Sequence, residues 1–492
     1  MSEPTTAQAT PSKPFGWRFT APLLLGSTLN PINSSMIATA LVGIGADMHA
    51  GPGATASLIS VLYLCSAVMQ PTMGKLSTLF GPRRIFLAGV VILLVGGVVG
   101  AAAPTFDVLL VSRALIGIGT SAAYPTAMAL VRKRADATGV GVPSRVLGNF
   151  SIASQITVVF GLPLGGVLVG AFGWRAIFAV NVPLALISIV LTLAGVAKDQ
   201  PVPREGRDRL LTALDIPGIV LFAGAITSLL VFLSQLLAPP WWLAAVAAVL
   251  AAALFFCERK ASHPLIDVRM LAKHLPLQRT YLRQMLTALG TYAVLYGASQ
   301  WMEQSKHLGA STVGLILTPL SAISIVMARV ISRRGWVRWP LILAGVSLIL
   351  AAAVVLTITR NSSIIVLIGM SLLLGFTNGF GGFANQAALY LQTPAEDIAV
   401  ASGLFRTFAY IGAIFSSSLI GITLDRPPPT AGFTSSAGSS AASGLSSCSS
   451  PPSTRAFRAS PNDSPLLPGP LDRARGCRLR RDHGYAPTRL SR

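Results

Sequence analysis

Apolar and polar positions alternate along this chain in long blocks, not at the short period of an amphipathic soluble helix or strand. Between Phe19 and Thr423 thirteen mostly apolar runs follow one another, near 19–44, 54–74, 85–103, 108–130, 147–170, 174–196, 213–235, 241–257, 282–304, 311–331, 340–358, 362–386 and 399–423. A hydrocarbon core about 30 Å thick takes roughly 20 residues of helix to cross, and most of these runs meet or approach that length. The pattern therefore predicts an all-α polytopic membrane protein with thirteen crossings.

Charge in the gaps adds an orientation, because positive residues close to helix ends stay on the cytoplasmic side. Every second gap is basic: Lys75, Arg83 and Arg84; Arg132, Lys133, Arg134 and Arg145; Lys198, Arg204, Arg207 and Arg209; then clusters at 259–283 and 333–338. The intervening gaps hold only Arg175, Lys306 and Arg360. A cytoplasmic N-terminus follows. The first run is too long for a signal-peptide core and carries no convincing cleavage site, so it is read as a helix.

Composition changes little. A net charge of +21 would suggest a nucleic-acid partner in a soluble protein, but with 52% hydrophobic residues the cations serve as topology determinants and contacts for anionic lipid head groups. No nucleic acid is expected. Cys65, Cys257, Cys448 and Cys477 are scattered without metal-ligand spacing, so neither a metal site nor a disulfide framework is expected. No G-x-x-x-x-G-K-[ST], H-E-x-x-H or G-x-S-x-G motif is present. The chain reads as no enzyme and needs no cofactor, and an ion gradient is the remaining energy source for active transport.

An internal repeat is visible. Residues 74–84 read GKLSTLFGPRR and residues 328–338 read ARVISRRGWVR. In each, a small residue is followed seven positions later by Gly and then by Arg. Leu109 to Ala122 contains Arg113, Gly117 and Gly119; Gly161, Pro163, Gly165 and Gly166 cluster in the fifth run; residues 174–183 read WRAIFAVNVP; and DIPG at 215–218 and PLID at 264–267 flank the seventh and eighth runs.

With these motifs the chain resembles the major facilitator superfamily, in particular its 14-helix drug:proton antiporter branch, over roughly residues 19–423. The similar patterns are G-x-L-x-D-R-x-G-R-K at 74–84, L-x-x-x-R-x-x-Q-G-x-G-A at 109–122, the exporters' G-P-x-x-G-G at 161–166 with its Pro displaced by one place to Pro163, and W-R-x-x-F-x-x-N-x-P at 174–183. The resemblance implies two pseudo-symmetric helix bundles plus two inserted helices. The division is then 1–18 as a cytoplasmic N-terminus, 19–196 as a six-helix bundle, 197–281 as the inserted pair with its loops, 282–423 as a five-helix bundle lacking its sixth helix, and 424–492 as a tail.

Single residues carry the expected mechanism. Arg113 within an apolar helix costs about 2.5–3.5 kcal/mol on insertion scales unless it meets water or a partner, which predicts a cavity-facing cation tied to proton or substrate movement or, failing that, one snorkelling to the interface. Asn30 and Asn33 of the first helix, Gln155 of the fifth, and Asn378, Asn385 and Gln386 of the twelfth are expected to line a central cavity or to bond between helices, since unsatisfied polar groups are costly there. Gly161 with Gly165 and Gly166 with Gly170 form small-x-x-x-small pairs that admit another backbone, and Pro163 permits a kink, giving either a pivot for rocking or plain tight packing. Gly74, Gly81, Arg83, Arg84 and Arg406 complete the expected gating positions.

The chain also departs from the pattern. The acid of the loop motif is Thr78, its Arg is Leu79, and Ser332 stands at the acidic place of the second copy. Asn30 stands where the branch commonly has Asp. No carboxylate lies mid-membrane in the first six runs, so the candidates for proton coupling are Arg113, Asp215 and Glu303, the last two at interface positions where a solvated carboxylate is the default. From Arg426 onward the chain turns Pro-, Ser- and Ala-rich and then Arg-rich, with ten Arg and no Lys, and no run there can span a bilayer. A frameshift near 424–428 that replaced a fourteenth helix, or a natural disordered extension, would each give this composition.

The function expected is proton-driven export of small, amphipathic or drug-like compounds by alternating access in the plasma (inner) membrane, as a monomer. A truncated, non-transporting membrane protein and an uncoupled solute permease are the alternatives.

Overall fold

The computed structural model describes residues 15–200, 214–236, 238–306, 308, 310–359 and 361–424. The expected tail from residue 425 onward and the first 14 residues lie outside the described residues.

Every run that the hydropathy pattern marks is helical. In chain order the helices are α1 (Trp17–Met36), α2 (Leu41–Asp47), α3 (Pro52–Phe80), α4 (Pro82–Ala101), α5 (Phe106–Ser121), α6 (Ala123–Thr138), α7 (Ser144–Phe172), α8 (Arg175–Ala179) and α9 (Asn181–Gly195). They continue with α10 (Ile216–Ser234), α11 (Trp241–Lys260), α12 (Val268–Lys273), α13 (Leu275–Ser305), α14 (Ala310–Arg334), α15 (Arg338–Thr357), α16 (Ile364–Gln392) and α17 (Ile398–Leu424). Among the described residues ten helical stretches are long and apolar enough to cross a membrane, and α1, α7 and α13 occupy the other three expected positions.

Several helices outrun their apolar stretches. The run at 54–74 becomes a helix to Phe80, that at 362–386 one to Gln392, and α6 carries its helix past Arg132 and Lys133 to Thr138. Hydropathy marks the segment that tolerates lipid, whereas backbone hydrogen bonding continues into the head-group region until a residue stops it. The first run is broken instead: α1 ends at Met36, a 3₁₀ turn covers Ile37–Thr39, and α2 follows.

The repeated motif has a structural counterpart in its glycines. Gly81 ends α3 at φ 95° and Gly335 ends α14 at φ 65°, a region that side chains with Cβ rarely occupy. Each reverses the chain into the next helix of its bundle.

One bundle is built from α1 to α9 and the other from α13 to α17, with α10 and α11 paired at the periphery against α17 and α3. The bundles meet along two seams, α3 against α17 and α7 against α14. At the Lys/Arg-rich end both seams are tight. A Cβ added to Gly74 would lie 2.7 Å from the carbonyl carbon and oxygen of Ala399, one added to Gly403 would lie 2.6 Å from the Gln70 carbonyl, and one at Gly148 would overlap the Ser332 side chain. Backbone-to-backbone approach of this kind is how helices associate in lipid, where apolar burial supplies no drive.

The outward surface is apolar in keeping with lipid as solvent. Val91, Val95, Val98, Val190, Trp242, Val249, Phe256 and Leu350 are all exposed. On α11 only Ala247, Leu254 and Glu258 are buried.

Candidate substrate cavity

Between the two bundles lies a cavity of about 190 Å³ walled by both. The first bundle contributes Pro31, Tyr124, Ser151, Ser154 and Gln155; the second contributes Gln284, Thr287, Thr291, Tyr292, Asn378, Gln386, Phe405 and Arg406 among others. Gln155, Asn378 and Gln386 are among its lining residues. Asn378 turns one amide proton back onto the Leu374 carbonyl at 3.1 Å, and Gln386 Nε2 faces the Met128 sulfur at 3.6 Å across the seam.

Arg406, one of the expected gating positions, sits on this wall. Its guanidinium carbon stands 4.2 Å from the centroid of the Tyr124 ring, a cation–π contact between the bundles.

Asn30 and Asn33 lie outside the cavity lining. Asn30 is the hub of a buried network: its Nδ2 donates to Ser66 Oγ at 2.8 Å and Thr120 Oγ1 at 2.9 Å, while its Oδ1 accepts from Tyr410 Oη at 2.9 Å. Gln70 Nε2 donates to the same Tyr410 oxygen at 3.1 Å, and Thr407 Oγ1 donates to the Ala67 carbonyl at 2.6 Å. This network stitches α1, α3 and α5 to α17, across the bundles. Asn33 pairs with Asn181 instead, each amide donating to the other's carbonyl at 2.6 and 2.9 Å, and both side chains are fully buried. That reciprocal pair explains the Asn of the 174–183 motif as a tie between α9 and α1.

Arg113 is likewise no cavity residue. It is 0% exposed, its Nε donates to the Leu58 carbonyl at 2.9 Å, its Nη1 approaches the Asn33 carbonyl at 3.5 Å, and its Nη2 has no partner. The expectation of a wall position fails because α1, α3 and α5 close over the side chain inside the first bundle.

The glycine motif of α7 also works within that bundle. Gly161 faces Ser35, and Gly165 faces Met36 and Thr39, so α7 rides close on α1. Gly166 and Gly170 have open space where a Cβ would stand. Pro163 sits inside the uninterrupted helix.

Asp215 is buried, not solvated. It caps α10 by accepting from Gly218 N at 3.1 Å and also accepts from Leu265 N at 2.8 Å, so the two sequence motifs that flank α10 and α11 hold each other. Glu258 lies beside it, 1% exposed, and accepts from Ile266 N at 3.4 Å. Glu303 belongs to α13, and its side chain lies outside the described residues.

At the basic end Arg83 is buried and donates to the Leu193 carbonyl at 3.3 Å. Sequence reasoning missed Asp199. Its Oδ2 accepts from Arg84 N at 2.9 Å at the start of α4, and its other oxygen lies 3.5 Å from Lys133 Nζ. A carboxylate at a helix N-terminus is favourable both as acceptor and against the helix dipole. Its position just past α9, far from the loop motif in sequence, gave no signal. Another cavity, of about 280 Å³, lies at this end between Lys75, His263, Asp267 and Asp397.

Two helix bundles that face each other across a cavity are the arrangement of a membrane transporter. The Major Facilitator Superfamily model matches residues 23–417, and the chain belongs to that family. It is 36% identical over 414 residues to the uncharacterized MFS-type transporter YwoD of Bacillus subtilis, covering 83% of this chain and 90% of that one. It is 26% identical to the multidrug resistance protein Stp of Mycobacterium tuberculosis, covering 81% and 74%. Among solved structures, the human organic anion transporter MFSD10 superposes with TM-score 0.66 at 15% identity over 87% of this chain and 99% of that one. The proton:xylose symporter XylE superposes with 0.60 at 14% over 88% and 93%. The structural likenesses establish the fold, and with the family they make the chain an all-α, multi-pass membrane protein of a transporter superfamily.

Proposed function

We propose that this chain is a secondary active exporter of small amphipathic compounds, driven by protons through alternating access. The carrying observation is the cavity between the bundles, with polar groups from both sides set among apolar walls. Relatives named for multidrug resistance and drug efflux support the direction of transport. The chain sits in the plasma membrane as a monomer, with the N-terminus and the basic end cytoplasmic. The peripheral pair α10–α11 supports the 14-helix branch, with 19–196 and 282–423 as the rocking units, 197–281 as the insertion, and the last helix lost to the tail at 424–492.

Proton coupling is assigned to Arg113, Asp215 and Glu303. The experiment is efflux of a fluorescent amphipathic dye from cells expressing this chain, with and without uncoupler, beside a version with a fourteenth apolar helix restored. Efflux abolished by uncoupler is the expected result. Efflux indifferent to uncoupler identifies a permease, and efflux only from the restored version identifies this chain as a broken copy.

The basic-end closure carries a pH dependence. Burial, aided by the charges of Glu396 and Asp267, pushes the Asp397 carboxyl at the start of α17 above its ordinary range, against the opposing pull of Lys75. His263 lines the same cavity. A carboxyl raised in the closed form holds its proton better there than in the open form. Closure is therefore fully supported below the ordinary pKa and loses that support as pH rises through the raised value. Spin labels on Thr78→Cys and Ala395→Cys are expected to separate as pH rises, and Asp397→Asn is expected to remove the dependence. An unchanged distance across that range would refute the assignment.

A further inference from the structure

The central cavity holds a cation with no counter-charge. Among the described residues that line it there is no Asp or Glu, and no carboxylate pairs with Arg406. The Arg406 Nε is buried without a hydrogen-bond partner. Two hydroxyls on the same walls are also buried without partners: Ser151 Oγ and Thr291 Oγ1. With Arg406 these groups come from both bundles, on α7, α13 and α17. A guanidinium in such surroundings costs several kcal/mol unless an opposite charge meets it. Each stranded hydroxyl adds its own desolvation penalty.

One ligand chemistry relieves all three at once. A carboxylate or comparable oxyanion accepts from Arg406 in a planar fork and from the hydroxyls with its remaining lone pairs. The rest of the wall is apolar: Ala288, Leu295, Leu320, Phe405 and Ala409. At about 190 Å³ the cavity is smaller than the roughly 300–1,000 Å³ of drug-sized pockets, which suits a single-ring or short-chain molecule. A cationic amphipath would place its charge against Arg406 with no acid to offset it.

We infer that the central cavity binds compact amphipathic organic anions, with Arg406 as the residue that reads the negative charge. This deepens the exporter reading and rests on it for the cavity being the transport site. It also sets this protein apart from a carrier of cationic dyes.

The test uses the full-length protein in detergent and in proteoliposomes with three probes of one shape: 3-phenylpropionate, 3-phenylpropionamide and 3-phenylpropylammonium. Binding is followed calorimetrically, and flux separately with radiolabelled probe. The acid is expected to bind at least about tenfold more tightly than the amide, and the ammonium more weakly still. Arg406→Gln is expected to erase the acid's advantage over the amide, and Arg406→Lys to restore part of it, as charge without the planar fork. An unchanged thermal unfolding midpoint shows that the variant is folded. Equal binding of acid and amide, preference for the ammonium, or an unchanged acid preference in Arg406→Gln each overturns the inference. Acid that binds through Arg406 but does not move leaves the inference standing and sinks the exporter reading. Flux of the ammonium without acid binding does the reverse.

Discussion

Arg113→Ala will lower the thermal unfolding midpoint of the purified protein and abolish gradient-driven flux, whereas Arg113→Met will keep the midpoint and lose flux alone. Arg113 heads the largest side chains that are completely buried, and its guanidinium fills the space between α1, α3 and α5. Truncation to Ala leaves a hole there, and losses of about 3–5 kcal/mol accompany such deletions of large core side chains. Met occupies much of the same volume without charge. Replacing a buried charge by an apolar residue of similar size is often neutral, because the desolvation penalty disappears together with the interaction. The pair of variants thus separates packing from chemistry. Full gradient-dependent flux in Arg113→Met would reduce Arg113 to a structural residue and leave Asp215 and Glu303 as the coupling candidates.

Gly74→Ala will prevent the basic end from closing. The added methyl would meet the backbone of Ala399 at 2.7 Å and the nitrogen of Val400 at 2.8 Å. Backbone cannot swing aside as a flexible side-chain tip can, so α3 and α17 must separate. Overpacking of this kind costs about 1–3 kcal/mol, which is enough to shift an open–closed equilibrium by about five- to 150-fold. Spin labels at Thr78→Cys and Ala395→Cys should show the long distance predominating, and flux should fall in proportion. Gly166→Ala is the matched control, since a Cβ there meets nothing within 4 Å. If both substitutions behave alike, the α3–α17 contact is not the gate.

The two glycines show how the sequence and the fold divide the information. Both belong to family motifs, and nothing local distinguishes them. Gly74 lies at a contact between bundles because Ala399, more than three hundred positions away, packs on it; Gly166 lies on an open face of its helix. The same holds for the polar residues. Asn33 and Asn181 are 148 positions apart and satisfy one another, so neither is available to a substrate. Asp199 caps α4 from beyond α9, across 115 positions.

What the sequence determined by itself is the order of the apolar helical segments, the basic and non-basic ends, the paired motifs whose Gly81 and Gly335 take positive φ, and the family. Those follow from local quantities: enough consecutive apolar residues to replace water by lipid, charges that resist crossing, and glycines where other residues would be strained. Which face of each helix looks inward was decided only by tertiary structure. In a bilayer the lipid-facing and core-facing sides are both apolar, so the periodicity that exposes the buried face of a soluble helix is weak here. Arg113 and Arg406 therefore look alike in sequence, each a lone cation in an apolar helix. Packing alone sealed the first inside one bundle and left the second facing the cavity between the two.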